Sequence, residues 1–223
     1  MNAWQFWIDR GGTFTDVIGL APDGRLHVRK VLSRQVETHG AQDAGILGIR
    51  RILESECGPR DRFEGRIQSV KVGTTVATNA LLERQGADVL LVTTAGHADA
   101  LVIGYQNRPD IFARHIVLPE RLHSQVIEAE ERLDALGRVL TPLDEPPLEA
   151  QLRAAHARGV RSVAIVFLHG WQHPRHERQA AALARRIGFE EVSASHELSP
   201  LVRFVARGDT TVLNAYLAPP LGA

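Results

Sequence analysis

The sequence has little cysteine, no excess of either charge and no long apolar run, and each shortage narrows what the protein can be. Cys57 is the only cysteine, so no internal disulfide can form and a reducing, cytoplasmic setting fits best. The 26 basic residues balance 26 acidic ones, which argues against a nucleic-acid-binding protein. No apolar run approaches the ~20 residues of a membrane span, and the N-terminus lacks the pattern of a signal peptide.

Lysine is scarce as well, since Lys30 and Lys71 are the only two in the chain. A composition bias of the genome explains this more simply than a function does. What is present is an ordinary globular composition, 44% hydrophobic and 23% charged over 223 residues. That is enough for one large domain or two small ones.

The stretch "DRGGTFTD", residues 9–16, lies between two short apolar runs and is unusually rich in functional groups for a turn. Its glycines let the backbone approach a ligand, and its threonines offer hydroxyl donors to phosphate oxygens. Its aspartates would repel a bare phosphate unless a magnesium ion lay between the carboxylates and the phosphate. Mg-nucleotide therefore suits the stretch. A hairpin turn whose threonines and aspartates bond to local amides suits the composition equally well, and both interpretations stay open at this point.

A second stretch, "VGTTVATN", residues 72–79, has a related composition. A glycine at the end of a strand and two threonines at the start of a helix would direct free amides at an anion. A threonine N-cap explains the same residues without a ligand, and by itself this stretch favours the N-cap. Neither stretch matches the Walker lysine loop or the dinucleotide-binding glycine pattern.

The apolar periodicity of the first hundred residues predicts three strands, a helix, a strand, a helix and a strand. The predicted strands are 4–8, 17–20, about 26–32, 69–75 and 88–94, and the predicted helices are about 37–54 and 76–86. Short turns make the first three strands an antiparallel meander, and the helices make the later strands crossovers. This order predicts an α/β fold of the ribonuclease-H-like, actin-like ATPase type, with a mixed sheet and helices on both faces.

A long excursion at residues 104–125 separates this part from a second α/β segment. A strand pair turning at Gly137 follows, and then a helix after Asp144, a strand at 160–168, a helix at 174–187 and a strand at 190–195. We therefore expect a core at 1–103 and a second segment at 104–223, packed into the same lobe. The apolar helical pattern at the C-terminus predicts that the chain is a fragment.

Four blocks of residues together resemble a known family. The blocks are "DRGGTFTD", "VGTTVATNALLERQGADVLLVTTAG", "IGYQNRPDIF" and "TTVLNAYL", in this order from about residue 8 to the C-terminus. They are similar to the N-terminal region of the ATP-dependent subunit of the hydantoinase/5-oxoprolinase family. The resemblance implies an actin-like ATPase in which Mg-ATP phosphorylates the carbonyl oxygen of a lactam or hydantoin ring, so that water can open the ring. It also implies that the chain is the first lobe of a larger protein.

The resemblance further implies roles for particular residues. Asp9 would hold magnesium or orient the attack, and Asp16 would share the catalytic role. The nucleotide-binding residues would be Gly11, Gly12, Thr13, Thr15, Gly73, Thr74 and Thr75. Asn79, Asn107 and Arg108 would lie near the substrate, where an arginine can pair with a carboxylate. The implied partners are a small cyclic amide, the remainder of the chain and a second, B-type subunit.

Two positions depart from the family's pattern. Arg10 stands where members usually have an aliphatic residue, and Val72 stands where many have a histidine. An inward-facing Arg10 would add a cation beside the phosphates, whereas an outward one would be solvated. "ARGDTT", residues 206–211, also differs from the commoner threonine and serine run.

Two further groups of polar residues attract attention. His169, His173 and His176 are close in sequence, but Pro174 and the start of a helix separate their directions, so polar residues at a turn explain them better than a metal site does. The charged residues 128–132 are most simply a solvated strand face.

Three functions fit the sequence. The first is the N-terminal lobe of an ATP-dependent cyclic-amide hydrolase. The second is the ATPase subunit of an acetone or ketone carboxylase, a class that resembles this family closely. The third is a binding or assembly module that keeps the fold without catalysis, for which Arg10 and Val72 are the best support.

Overall fold

The computed structural model of the chain describes residues 3–33, 43–58, 65–107, 110–118 and 120–222. The chain divides into two compact units, Met1–Arg84 and Gln85–Ala223, called unit 1 and unit 2 below. No helix in these described ranges is long and apolar enough to cross a membrane.

Unit 1 is a mixed four-stranded sheet with two helices. Its strands are β1 (Trp4–Arg10), β2 (Phe14–Leu20), β3 (Leu26–Leu32) and β4 (Ile67–Thr74), and its helices are α1 (Ala44–Cys57) and α2 (Val76–Leu82). The strand order is β3-β2-β1-β4, with β4 parallel to β1 and the other pairs antiparallel. The predicted meander and its first crossover are therefore confirmed.

The two faces of this sheet differ in polarity and cover. One face carries the buried side chains of Trp4, Phe6 and Ile8, which pack with Ile52 and Leu53 of α1. Alternation along β1 and β2 places the intervening residues on the opposite face. There large apolar side chains are exposed, for example Val28 at 57%.

Unit 2 is built on a four-stranded, fully parallel sheet. Its elements are β5 (Val89–Thr94), α3 (Ala100–Ile103), β6 (His123–Ala129), β7 (Arg132–Leu133), β8 (Val139–Thr141), α4 (Glu145–Ala157), β9 (Ser162–Val166), α5 (Arg175–Ile187), β10 (Glu191–Ala194), α6 (Ser195–Leu198) and α7 (Phe204–Gly222). The strand order is β10-β9-β5-β6, and β7 and β8 form a separate antiparallel pair. Helices α4 and α5 pack on one face of the sheet. Helix α7 lies on the other, where the Ser162 hydroxyl donates to the Ala215 carbonyl oxygen.

The structure differs from the sequence-based expectations in one major way. We expected β5 to extend the first sheet, with a division after residue 103. In the structure β5 pairs with β9 and β6, so the division falls between Arg84 and Gln85. The reason lies in the cover that β5 needs, because an unbroken apolar strand must be covered on both faces, and α4, α5 and α7 provide this in unit 2. That the units form one lobe stays a prediction.

Smaller differences concern element ends. The second predicted helix ends at Leu82 rather than at residue 86, and the first begins at Ala44, its expected N-terminal part at 37–42 lying outside the described residues. Of the predicted strand pair around Gly137, only Arg132–Leu133 pairs with β8, since the preceding residues join the parallel sheet as β6.

Candidate functional site

Strand register in unit 1 aligns four residues across the whole sheet. Asp9 of β1 lies opposite Asp16 of β2 and Gly73 of β4, and Asp16 in turn lies opposite Lys30 of β3. Residues directly opposite one another in a sheet project from the same face. These four, called the Asp9 row below, therefore share the face that α1 does not cover.

The Asp9 row contains one paired and one unpaired carboxylate. Lys30 Nζ lies 3.0 Å from a carboxylate oxygen of Asp16. Asp9 is exposed, and within the described residues no cation lies within ion-pair distance of it. Gly73 offers no side chain at the end of the row, and a Cβ there would meet only the Ile8 carbonyl oxygen at 3.9 Å. The row thus leaves one carboxylate and open space for a ligand.

The loop between β1 and β2 begins at the end of the Asp9 row and is held in a tight turn. The Gly11 amide donates to the Phe14 carbonyl oxygen over 3.0 Å. A Cβ on Gly11 would lie 2.8 Å from that same oxygen, which is too close for any residue but glycine. The neighbouring Gly12 and Thr13 are exposed. This turn is therefore compact and solvent-accessible, as a phosphate-binding loop requires.

The second stretch meets this loop, as a shared phosphate site would require. The Thr75 amide and the Thr74 hydroxyl both donate to the Arg10 carbonyl oxygen, each over 3.2 Å. A Cβ on Gly12 would lie 3.4 Å from Nδ2 of Asn79, so the Asn79 amide lies beside the loop. Two stretches far apart in sequence are thus adjacent in space.

Thr15 lies apart from the other loop residues. It is completely buried, and its hydroxyl lies 2.9 Å from that of Ser33, which in turn donates to the Gly11 carbonyl oxygen over 2.6 Å. Alternation along β2 directs Thr15 away from the face that carries Asp16. The structure therefore gives Thr15 the task of fixing the loop, and its proposed contact with a nucleotide has no support in this geometry.

Arg10 and Val72, the two departures from the family's pattern, both lie off the Asp9 row. The Arg10 guanidinium lies 3.4 Å from the carboxylate of Asp43, and both side chains are about half exposed. Asp43 also caps α1 by accepting from the amides of Gly45 and Ile46. Val72 lies opposite Ile8 and is 64% exposed. Arg10 therefore ties the loop to the start of α1 and adds no cation beside the Asp9 row.

The predicted substrate residues in the third block belong to unit 2. Asn107 is exposed in the segment after α3. Arg108 lies outside the described residues. Their contact with a substrate stays a prediction.

Comparison with known proteins identifies the family to which this site belongs. A model of the hydantoinase/oxoprolinase N-terminal region matches residues 5–188 of the chain. The chain belongs to the hydantoinase/oxoprolinase family. It is 42% identical to 5-oxoprolinase 1 of Arabidopsis thaliana, over 96% of this chain and 19% of that protein. It is 33% identical to the acetophenone carboxylase gamma subunit of Aromatoleum aromaticum, over 94% of this chain and 30% of that subunit.

A solved structure supports the same α/β fold. The crystal structure of the ATP-dependent caprolactamase from Pseudomonas jessenii is similar with a TM-score of 0.75 and 32% identity, over 98% of this chain and 32% of that one. The chain therefore spans between about a fifth and a third of the proteins to which it is similar. In this family member the stretch at residues 9–16 and the stretch at residues 72–79 lie together at one end of the sheet of unit 1.

Sequence reasoning missed a buried polar network in unit 2, at the carboxyl ends of its parallel strands. Glu177 accepts four hydrogen bonds, from the Phe167 amide, the Ser195 hydroxyl, and the amide and ring Nδ1 of His196. Arg207 donates to the same Ser195 hydroxyl over 2.9 Å and to the Phe167 carbonyl oxygen over 2.7 Å. Burial lowers the pKa of Arg207, and the Glu177 carboxylate opposes that shift.

A second buried group lies at the same edge of this sheet and corrects the interpretation of residues 128–132. We expected a solvated strand face, but Glu131 is 2% exposed and accepts from the Thr94 hydroxyl and from Nδ1 of His176, the latter over 2.6 Å. Glu128 accepts from three successive backbone amides, those of residues 96–98. Glu128 and Glu130 are exposed, as a solvated face requires, so the correction concerns Glu131. Glu131 faces inward, where hydrogen-bond partners take the place of water.

A signal for the buried network was present in the sequence. His176 and Glu177 precede the inward-facing Ala180 of α5 by four and three positions, which places them on the buried side of the helix. The same geometry separates the histidines, since His173 lies at the surface, where its ring is 3.2 Å from the Ala135 carbonyl oxygen. Within the described residues no group of three or more acids, histidines or cysteines is arranged to hold a metal.

Proposed function

We propose that this chain is the phosphate-binding part of an ATP-dependent hydrolase that opens cyclic amides such as 5-oxoproline or a hydantoin. The observation that carries the proposal is the exposed carboxylate of Asp9 beside a loop in which Gly11 has no room for a side chain. Thr74, Thr75 and Asn79 lie beside this loop and add polar groups to the site. Relatives named 5-oxoprolinase and ATP-dependent caprolactamase support the reaction class.

Magnesium fits the donor set of this site. Asp9 supplies a hard, exposed oxygen ligand that no cation of the described residues pairs with, and Mg²⁺ in phosphate sites is held by one or two carboxylates with waters and phosphate oxygens. When bound, the ion would neutralise charge on the phosphates. The chain's own contribution would be positioning, in which Gly11 and Gly12 admit the phosphates and Asn79 donates to them.

The reaction that we propose uses ATP to activate a poor electrophile. The γ-phosphoryl group passes to the ring carbonyl oxygen, ADP leaves, and the carbon then accepts water as the ring C–N bond breaks and phosphate departs. The active unit would be the whole protein, in which the remainder of the chain and a second, B-type subunit act with this part. We propose a cytoplasmic location for it, because one cysteine in 223 residues fits a reducing compartment.

The chain spans only 19% of a relative such as 5-oxoprolinase 1, and turnover would need the whole protein. The test of this proposal is therefore a binding measurement. Mg-ATP is titrated by calorimetry into the wild-type chain and into Asp9→Ala and Asp23→Ala. Asp23 is the matched control, since it is an exposed aspartate in the turn between β2 and β3, where its carboxylate pairs with Arg25.

We expect Asp9→Ala to weaken Mg-ATP binding by about tenfold or more, the loss of one charge-assisted contact, and Asp23→Ala to leave it unchanged. Equal affinity of the wild type and Asp9→Ala would overturn the assignment of the phosphate site.

The second candidate is the ATPase subunit of a ketone carboxylase, which the similarity to the acetophenone carboxylase gamma subunit favours. ATP hydrolysis by the full-length protein with its partner subunit separates the candidates. Stimulation by 5-oxoproline or a hydantoin supports the hydrolase, and stimulation by acetone plus bicarbonate supports the carboxylase. No stimulation by any of them would point to a non-catalytic module.

A further inference from the structure

The Asp9 row contains a cation that no part of the proposed function uses. Lys30 on β3 lies two strands away from Asp9, directly opposite Asp16. We propose that Lys30 is the cation that binds the phosphates of the nucleotide, and that Asp16 holds it in place. This inference rests on the proposed function, because it concerns the same site.

The position of Lys30 places its charge beside the phosphate-binding loop. Its Nζ atom lies 5.4 Å from the centre of the Phe14 ring, and Phe14 directly follows the exposed part of the loop. The ring and the Asp16 carboxylate together fix the direction of a side chain that would otherwise sample many rotamers. The ammonium group thus lies beside Asp16 and Phe14, at the β2 end of the loop, before a ligand arrives.

The Lys30–Asp16 ion pair is weak enough for Lys30 to exchange Asp16 for another anion. The two side chains are 59% and 38% exposed. Exposed ion pairs contribute at most about 1 kcal/mol, because water screens both charges. A polyphosphate carries several negative charges and offers Lys30 more than one acceptor. Lys30 can therefore turn toward a phosphate at little cost while it stays near Asp16.

The charges of the row also require such a cation. Asp9 and Asp16 are opposite neighbours on adjacent strands, where like charges repel. Pairing of Asp16 with Lys30 leaves Asp9 as the carboxylate available to magnesium. Arg10 does not serve as the cation, since it is directed at Asp43. In this arrangement Asp16 is a positioning residue, and Asp9 and Lys30 contact the ligand.

The lysine content of the chain makes a direct test possible. Lys71 is the only other lysine and lies on the same face of the sheet, two residues before Gly73, with its Nζ atom 5.8 Å from the centre of the Trp7 ring. The 223-residue chain is treated briefly with an amine-acetylating ester, with and without Mg-ATP. Mass spectrometry then measures acetylation at Lys30 and at Lys71, and calorimetry on the same sample gives the Kd for Mg-ATP.

We expect Mg-ATP at ten times its Kd to slow acetylation of Lys30 by about tenfold, as the free fraction of the site falls, and to leave Lys71 unchanged. Binding of Mg-ATP without protection of Lys30, or with equal protection of both lysines, would overturn the inference and leave the proposed function standing. No binding of Mg-ATP to the wild type would overturn both.

Substitution gives a second measurement that does not depend on chemical reactivity. Lys30→Met should raise the Kd for Mg-ATP by about tenfold, the loss of one charge-assisted contact, whereas Lys71→Met should not change it. Lys30 is exposed, so a circular dichroism spectrum like that of the wild type is expected for both variants. Equal Kd values for Lys30→Met and Lys71→Met would also contradict the role of Lys30.

Discussion

At the scale of single residues, Glu177 of unit 2 is a buried carboxylate that depends on its hydrogen-bond donors. Its side chain is fully buried, and its two carboxylate oxygens accept four hydrogen bonds from three residues. Gly170 makes room for it, because a Cβ there would lie within 2.3 Å of a carboxylate oxygen. The neighbouring buried charge of Arg207 depends on the same arrangement through Ser195.

Replacement of Glu177 by glutamine keeps the size of the side chain but turns one acceptor into a donor. We expect Glu177→Gln to lower the free energy of unfolding by about 3 kcal/mol, since it leaves buried donors unpaired and Arg207 uncompensated. Urea denaturation measures this loss. The control is Glu149→Gln, a partly exposed glutamate paired with Arg153 one helical turn away, for which a change of about 0.5 kcal/mol or less is expected. Similar losses in the two variants would contradict a structural role for the network.

The sequence predicted the residue types of the candidate site better than their directions. The structure places the loop of the first block beside the start of the second, because β1 and β4 are neighbouring parallel strands. That these residues bind a nucleotide stays a prediction. Thr15 and Arg10 could not be placed in advance, since the face on which each residue projects depends on where β1 and β2 begin. A shift of one residue reverses every direction in a strand.

At the scale of elements, the contact of α1 with the sheet depends on glycine. A Cβ on Gly48 would lie 2.5 Å from Cγ2 of Val17, and one on Gly45 would lie 2.8 Å from Cδ1 of Ile8. The helix therefore lies closer to β1 and β2 than any larger residue would permit. The packing gained by this close approach outweighs the cost of glycine in a helix, which is about 1 kcal/mol relative to alanine.

Gly48→Ala tests this close packing. In an exposed helix the change would stabilise, but here we expect a loss of about 1–2 kcal/mol in the free energy of unfolding, because overpacking costs about 1–3 kcal/mol. Thermal and urea denaturation measure it, with Arg51→Ala on the exposed side of α1 as the control. In a Val17→Ala background, which lacks the clashing methyl groups, Gly48→Ala should cost less than it does in the wild type. A stabilising Gly48→Ala would show that α1 does not approach the sheet so closely.

The type and order of the helices and strands were predicted well, but the pairing of the strands was predicted less well. The apolar run of β5 correctly indicated a strand covered on both faces. Its partners could not be inferred, because β9 lies far along the chain and two α/β segments offered equally suitable edges. Long-range pairing is set by which surfaces fit, and local periodicity carries no information about that.

At the scale of the whole molecule, each unit has its own core. The apolar cluster around Val163 and Leu152 draws its members from β5 onward, and the Glu177 network lies within the same part of the chain. We therefore expect residues 85–223, expressed alone, to fold cooperatively. Dispersed amide signals in a heteronuclear NMR spectrum and a sharp thermal transition would confirm this. A collapsed state without dispersed signals would show that unit 2 depends on unit 1.

The parallel pairing of β5 with β9 also has a consequence for synthesis on the ribosome. Unit 1 has all four of its strands once β4 has emerged, whereas Leu90 must wait for Val163 before the central pair of the second sheet can form. The first partner of β5 is β6, which emerges only after the excursion, and the other edge of β5 stays unpaired until β9 is made. Strands with late partners are exposed to aggregation, and here one edge of β5 lacks its partner until the excursion, β6 and α4 have all been translated. The yield of folded protein should therefore depend on translation speed and chaperone supply more than its equilibrium stability does.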